Sequence, residues 1–248
     1  MNILIYLYTE ILYRPLFNGL VFFYNLFPWH DLGLAIILLT IVIRTILMPL
    51  FWKAQKAQKD LAKIQPEVKK IQTELKSDRE KQGRAIMELY AKHKVNPFSG
   101  CVVLLIQLPI LIALLQVFRK GFDPGELHFL YHFITNPGIL HPISFGFLDL
   151  SKGNLYLGVI AAITQYFQSK LTLPPSPAVQ EKNDFNRMLQ MQTLYFFPLL
   201  ILLWSWKLPS ALTLYWTVLN ILGIVQEIVM RRVKGKEERV KGEGERDK

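Results

Sequence analysis

The chain has 248 residues, 29 Lys plus Arg against 19 Asp plus Glu, a formal net charge of +10 and 51% hydrophobic residues. That apolar, aromatic-rich background excludes a disordered chain, and a charged fraction of 19% falls below the roughly one quarter usual for a soluble domain. Membrane class follows, with nucleic acid, anionic lipid or a ribosome as candidate partners for the positive surplus; the single cysteine, Cys101, excludes an intramolecular disulfide and a cysteine metal cluster.

Residues 2–27 come first in chain order. Ile3 to Leu7 and Leu20 to Phe23 are apolar enough to insert, while Glu10, Arg14, Asn18 and Asn25 recur at spacings of four, four and seven. One polar stripe beside a broad Tyr, Phe and Leu face predicts that 1–30 forms an amphipathic helix lying in the outer membrane interface rather than crossing. A cleaved signal peptide is disfavoured, because no basic segment precedes the apolar run and Glu10 interrupts it.

Five apolar stretches then approach the roughly 20 residues that a crossing helix needs. They lie at about 33–51, 98–118, 153–169, 191–206 and 209–230. Gln107 and Pro109 interrupt the second, and Gln165 and Gln168 the third. Between the fourth and fifth, only Lys207 and Leu208 precede Pro209, which predicts a tight turn. The fold class is therefore an all-α polytopic membrane protein. Its expected parts are the outer interfacial helix, a five-helix core over 31–232 that includes a cytoplasmic antiparallel helical hairpin at 52–97, and a charged tail at 233–248.

Charge between the spans sets the expected topology. Residues 52–97 hold 12 basic and 6 acidic side chains, 170–190 hold 3 and 2, and 231–248 hold 8 and 5, for nets of +6, +1 and +3. Everything else sums to zero, so the whole surplus falls on alternate connections. The positive-inside rule assigns those three to the cytoplasm and the N-terminus to the outside, as in a multi-pass protein of a bacterial cytoplasmic (inner) membrane. Trp29, Trp52, Trp204 and Trp206 stand near span ends, where interfacial aromatics belong.

Within 52–97, Leu61, Ile64, Val68, Ile71 and Leu75 step by three, four, three and four, the spacing of a coiled-coil seam. Ser77, Asp78 and Gly83 supply turn chemistry. Ile86, Leu89 and Tyr90 then start a second apolar face that ends before Asn96-Pro97. Pro66 predicts a kink or a lost backbone hydrogen bond in the first arm. The pair reads either as a solvated structural hairpin or as a docking arm.

Arg44 lies inside the first span, roughly 12 Å from Trp52 at 1.5 Å per residue, too deep to snorkel easily. Burying it in hydrocarbon costs about 2.5–3.5 kcal/mol on insertion scales, so water or a partner must reach it. Glu227 is the only carboxylate in a proposed span, and with Arg231 one turn later it reads as a surface pair. Thr40, Gln107, Gln165, Thr213, Tyr215 and Asn220 could line a wet cavity or simply glue helices together. A positive cavity open to the cytoplasm would attract acidic, partly apolar segments, such as the flank of an incoming membrane protein.

The alternative is a small-anion transporter or channel using Arg44. Five spans, however, do not divide into equal inverted repeats. An intramembrane enzyme lacks a histidine within any span, and His128/His132 lack the glutamate of a zinc motif, so no catalytic residue, cofactor or metal is expected. Cys101 reads as a small helix-packing residue.

Several stretches, in order, resemble the YidC/Oxa membrane protein insertases in the short form without a large extracytoplasmic domain. They are Ile41-Val-Ile-Arg44-Thr-Ile-Leu-Met-Pro49-Leu, Ile64-Gln-Pro66, Leu89-Tyr90 to Lys94-Val-Asn96-Pro97, Gly100-Cys101, Leu105-Ile-Gln107-Leu-Pro109-Ile and Leu208-Pro-Ser210-Ala-Leu-Thr-Leu-Tyr215-Trp216. The likeness covers about residues 10–232, and the combined set is specific although no single piece is. It implies a hydrophilic groove around Arg44, open to cytoplasm and lipid and closed to the outside, that receives nascent membrane proteins without nucleotide. It also places Thr40, Gln165, Tyr215 and Trp216 near the substrate path. The implied partners are the ribosome, through the hairpin and basic tail, a secretory translocon and anionic lipids; no sequence-specific nucleic acid is implied. Five acids interleaved in the tail after Arg232 depart from a strongly basic ribosome tether.

Overall fold

The computed structural model describes residues 3–96, 99–121, 123–173 and 191–246, excepting the side chains of 99–104, 124 and 234–246. Cys101's side chain and most of the 170–190 connection therefore lie outside the described residues. Nine α-helices are described: α1 Ile3–Tyr8, α2 Arg14–Asn25, α3 Leu32–Lys63, α4 Gln65–Glu74, α5 Arg79–Lys92, α6 Ser99–Lys120, α7 Leu155–Thr172, α8 Phe197–Ser205 and α9 Ser210–Arg246. A π-helical segment, Thr9–Tyr13, joins α1 to α2, and another, Gln192–Phe196, leads into α8. A two-stranded antiparallel ribbon, β1 Ile143–Ser144 and β2 Leu148–Asp149, pairs Ile143 with Asp149. The chain divides into two compact units, Met1–Arg44 with Ile112–Lys248, and Thr45–Leu111.

In the first unit, α7 packs against both α8 and α9. Small residues permit the approach: a Cβ on Gly158 would run into the Ser205 side chain, and one on Gly223 would come 3.2 Å from Gln168 Cγ. Large apolar side chains point the other way. On α7, Val159, Ile160, Ile163 and Phe167 are exposed while Gly158, Ala161 and Ser169 are buried. On α9, Ile221, Val225, Ile228 and Val229 are exposed while Thr213, Thr217, Asn220, Gln226 and Glu227 are buried. Polar atoms inside and bulky hydrocarbon outside invert the pattern of a water-soluble domain and suit helices bathed in lipid.

The N-terminal polar stripe makes long-range contacts. Asn18 Nδ2 donates to the Phe129 carbonyl at 2.9 Å, and its Oδ1 accepts from the Tyr131 amide at 2.6 Å. Arg14 Nε donates to the Phe129 carbonyl, Asn25 Nδ2 to the Thr135 carbonyl, and Tyr13 to Glu126 at 2.5 Å. The stripe therefore satisfies the backbone of the 124–135 loop. Phe17, Leu20, Val21 and Tyr24 are buried beside it, with Gly19 against Leu39 of α3.

The loop before α7 ties several helix ends together. Asp31 caps α3, its Oδ1 accepting from the Leu34 amide at 3.0 Å and from the Ser144 hydroxyl, its Oδ2 from the Phe145 amide at 2.6 Å. Burial works to raise the Asp31 pKa; the bonds from Ser144 and the Phe145 and Leu34 amides prevail and hold it below the ordinary carboxylate range. The Asn154 amide donates to the Ser205 carbonyl, the Ser210 amide to the Lys152 carbonyl and the Ala211 amide to the Leu150 carbonyl. The same loop thus anchors the starts of α3, α7 and α9 and the end of α8.

In the second unit, α3 runs unbroken through Pro49 to Lys63, and the chain breaks at Ile64. Pro66 sits in the first turn of the new helix α4, where a missing amide proton costs least. Leu61 consequently belongs to α3, and the expected seam is divided between two helices. Asp78 caps α5 by accepting from the Lys81 amide at 3.0 Å. Gln82 Nε2 donates to the Gln72 carbonyl at 3.0 Å, and His93 lies 3.4 Å from Glu67, so α4 and α5 run back along one another over Ile64, Val68 and Leu89. Among the described residues, Leu32–Lys63 and Ser210–Val233 are long and apolar enough to cross a membrane, and Gln192–Ser205 is a shorter apolar helix.

Candidate functional site

Arg44 is the last residue of the first unit's portion of α3 and is only 8% exposed. Its Nη2 donates to Gln226 Oε1 on α9 at 2.9 Å, across 182 residues of sequence. Tyr215 stands on α9 eleven residues before Gln226, three turns along the same face. Both Gln226 and Tyr215 are buried. A hydrogen bond to a charged group contributes about 1.5–3 kcal/mol, comparable to the cost of holding the guanidinium in the helix.

A second polar row on α9, at Asn220, Gly223, Glu227 and Arg231, faces α7. Asn220 Nδ2 lies 3.3 Å from Thr164 Oγ1 and 3.4 Å from the Ala161 carbonyl. Glu227 is 1% exposed, so it is an interior carboxylate where spacing suggested a surface pair. It binds Arg231 Nε at 2.9 Å, and Arg231 also donates to the Leu171 carbonyl in the last turn of α7. This places a cation on carbonyls that the helix leaves without an internal donor.

The expected site residues lie on several elements. Thr40 stands one turn before Arg44 on α3, and Tyr215 shares a face of α9 with Gln226. Thr40 is 1% exposed and spends its hydroxyl on the Ile36 carbonyl, 2.6 Å away on its own helix. Gln165 Nε2 donates to Ser169 Oγ at 3.0 Å along α7, and the adjoining Gln168 packs at Gly223. Trp216 follows Tyr215 and is partly exposed. Gln107 lies on α6 in the second unit. Gln226 was missed by sequence reading. The signal available was its eleven-residue spacing from Tyr215, which is three helical turns.

An arginine inside an apolar-faced helical assembly, hydrogen-bonded to an amide, can hold an anion or an acidic peptide segment; among the described residues no group of three metal-ligating side chains accompanies it. This is the construction of a helical membrane protein with a polar interior site. The model of the 60Kd inner membrane protein family matches residues 22–238, and the chain belongs to that family. It is 34% identical over 197 residues to the membrane protein insertase YidC of Fusobacterium nucleatum subsp. nucleatum, covering 79% of this chain and 84% of that one. It is 31% identical to the insertase YidC of Geotalea daltonii, over 88% of this chain and 37% of the relative. A crystal structure of an active YidC insertase with its first transmembrane domain resolved matches with a TM-score of 0.56 at 29% identity, covering 86% of this chain and 45% of that one. The chain thus spans most of one relative and under half of the longer ones.

Proposed function

We propose that this chain is a membrane protein insertase and chaperone that receives nascent membrane-protein segments at Arg44, in a polar groove open to the cytoplasm, and releases them into lipid. The observation that carries the reading is the buried Arg44 hydrogen-bonded to Gln226 within helices whose outer faces are hydrocarbon. A polar surface at that depth lowers the cost of drawing a short hydrophilic flank partway across, while an apolar helix leaves sideways into a solvent that matches it. No cofactor, metal or chemical step enters this proposal.

The proposed topology has five crossing helices, α3, α6, α7, α8 with its preceding π segment, and α9. The α4–α5 pair and the tail lie in the cytoplasm, and the N-terminal helix lies in the outer interface of a bacterial inner membrane. Charge supports it, since the +10 falls on alternate connections. Thr40, Gln165, Tyr215 and Trp216 are proposed substrate contacts beside Arg44, with Gln107 on α6 a further one. Ribosome contact through α4–α5 and the basic tail, anionic-lipid contact and work beside a secretory translocon belong to the same proposal. The test is depletion followed by protease protection of a single-span substrate: insertion should fall in the depleted strain. Normal insertion in a verified null strain overturns the reading.

A further inference from the structure

We propose that the β1–β2 ribbon and the α8–α9 turn form one lipid-binding plate. Phe147, Tyr156 and Trp206 sit at the boundary between headgroups and acyl chains, and Lys152 and Lys207 face lipid phosphates. On the proposed topology this is the outer leaflet. The inference rests on the topology of the insertase reading and goes beyond it by giving the connection between α6 and α7 a bilayer surface to bind, where a plain loop would stand in water.

The ribbon is fixed to the helix ends. Phe145 and Gly146 form its turn at φ +54° and +80°, and the Phe147 amide donates to the Ser144 carbonyl at 3.2 Å. A bulky residue at positive φ is strained and persists only where its surroundings over-determine it. Here the Asp31 carboxylate accepts from the Phe145 amide, and a Cβ on Gly33 of α3 would come 2.8 Å from the Phe145 ring. Ser144 and Leu148 are buried below the turn, while Phe147 is 82% exposed. The stem of the ribbon then meets the α8–α9 turn: a Cβ on Gly153 would run into the Trp206 carbonyl, and the Asn154 amide donates to the Ser205 carbonyl at 3.1 Å. Tyr156 and Trp206 thus rise from neighbouring backbone, 85% and 70% exposed. Lys207 beside them is exposed, and the Lys152 side chain is 80% exposed although it pairs with Asp149.

The occupant follows from α7. Tyr156, Ile160, Ile163 and Phe167 are all exposed and follow at intervals of four, three and four, so Tyr156 opens the hydrocarbon stripe that suits lipid. Tyrosine and tryptophan, apolar in body and polar at the tip, favour the boundary of that hydrocarbon, and neighbouring lysines reach its phosphates. The same rings grouped in water would be an aggregation liability.

The experiment uses the full chain in a Cys101→Ser background, with Phe147→Cys, Tyr156→Cys or His132→Cys carrying a nitroxide, in vesicles of phosphatidylethanolamine and phosphatidylglycerol. Power saturation compares collisions with oxygen, which enters hydrocarbon, and with a neutral nickel chelate, which stays in water. The ratio of oxygen to chelate access at 147 and 156 should exceed that at 132 by about threefold or more, for rings seated about 5–10 Å into the interface. Lys207→Glu, which repels phosphate, should lower the ratio at 147; an unchanged ratio overturns the part given to that lysine. Chelate access at 147 equal to that at 132 places the ribbon in water and overturns the plate. Low access to both reagents means that protein, such as a second copy, covers it, and overturns the plate equally. Melting temperatures in detergent identify a variant that has failed to fold; if Phe147→Cys does so, Gly146→Cys reports from the same turn. The depth readout depends neither on the side of the membrane nor on a substrate. Failure of the parent protein to insert a single-span substrate would therefore overturn the insertase reading and leave the plate standing.

Discussion

Arg44 stands in an apolar helix with its Nη2 donating to Gln226 on α9, and that bond helps to set where the guanidinium points. Lysine can supply the charge at that depth but has no planar fork with which to address Gln226. Replacing Arg44 by Ala should therefore lower insertion of a single-span substrate by about tenfold or more, the scale set by a charged hydrogen bond; Arg44→Lys should retain a larger share. Protease protection in proteoliposomes reads both, and equal losses would mean that guanidinium geometry outweighs charge. Arg44 was legible in the sequence because a charge inside an apolar run stands out. Gln226 was not, because a lone amide in a membrane helix is ordinarily interhelical glue, and no local spacing connects positions 182 residues apart.

At the scale of the helices, close approach depends on residues without bulk. Gly158→Val places a branched side chain where Ser205 already sits and should destabilise the protein by about 1–3 kcal/mol, read as a lower melting temperature in detergent. Gly83, within α5, has nothing within 4 Å of a built Cβ, and Gly83→Ala should stabilise by about 0.4–1 kcal/mol through the unfolded chain and raise the melting temperature. The cap of α3 has a pH signature. Asp31 has a lowered folded pKa, so its contribution is present above the ordinary carboxylate value and is lost as pH falls through the folded one. Asp31→Ala should cost about 0.5–2 kcal/mol near neutral pH and remove that acid-dependent loss; amide exchange at Phe145, which binds Asp31, should speed up. The capping role of Asp78 could be anticipated from turn chemistry. The Asp31–Ser144–Phe145 cluster could not, because it joins segments more than a hundred residues apart.

For the whole molecule, the charge asymmetry makes a prediction that labelling can decide. In a Cys101→Ser background, His132→Cys should react with an impermeant maleimide applied from outside, and Gly83→Cys only after permeabilisation, since both positions are exposed and stand on connections of different net charge. Labelling of Gly83→Cys in sealed cells would reverse the proposed topology. In the proposed topology the same alternation gives the +10 an orienting role, since the surplus is divided among connections placed on one side, and Arg44 is balanced by the other scattered charges.

Composition and periodicity by themselves determined the helical membrane class, the apolar stretches, the charge alternation and the exceptional position of Arg44, because each is a local or additive property of the chain. Tertiary structure decided the rest. It turned the N-terminal polar stripe onto the 124–135 loop, carried Glu227 from an expected surface into the interior, and broke the arm at Ile64 so that Pro66 opens a helix. It also chose Gln226 for Arg44. Apart from the break at Ile64, each of these depends on which faces meet across long sequence separations, and hydrogen-bond satisfaction of buried groups selects that meeting more strongly than any nearby residue can.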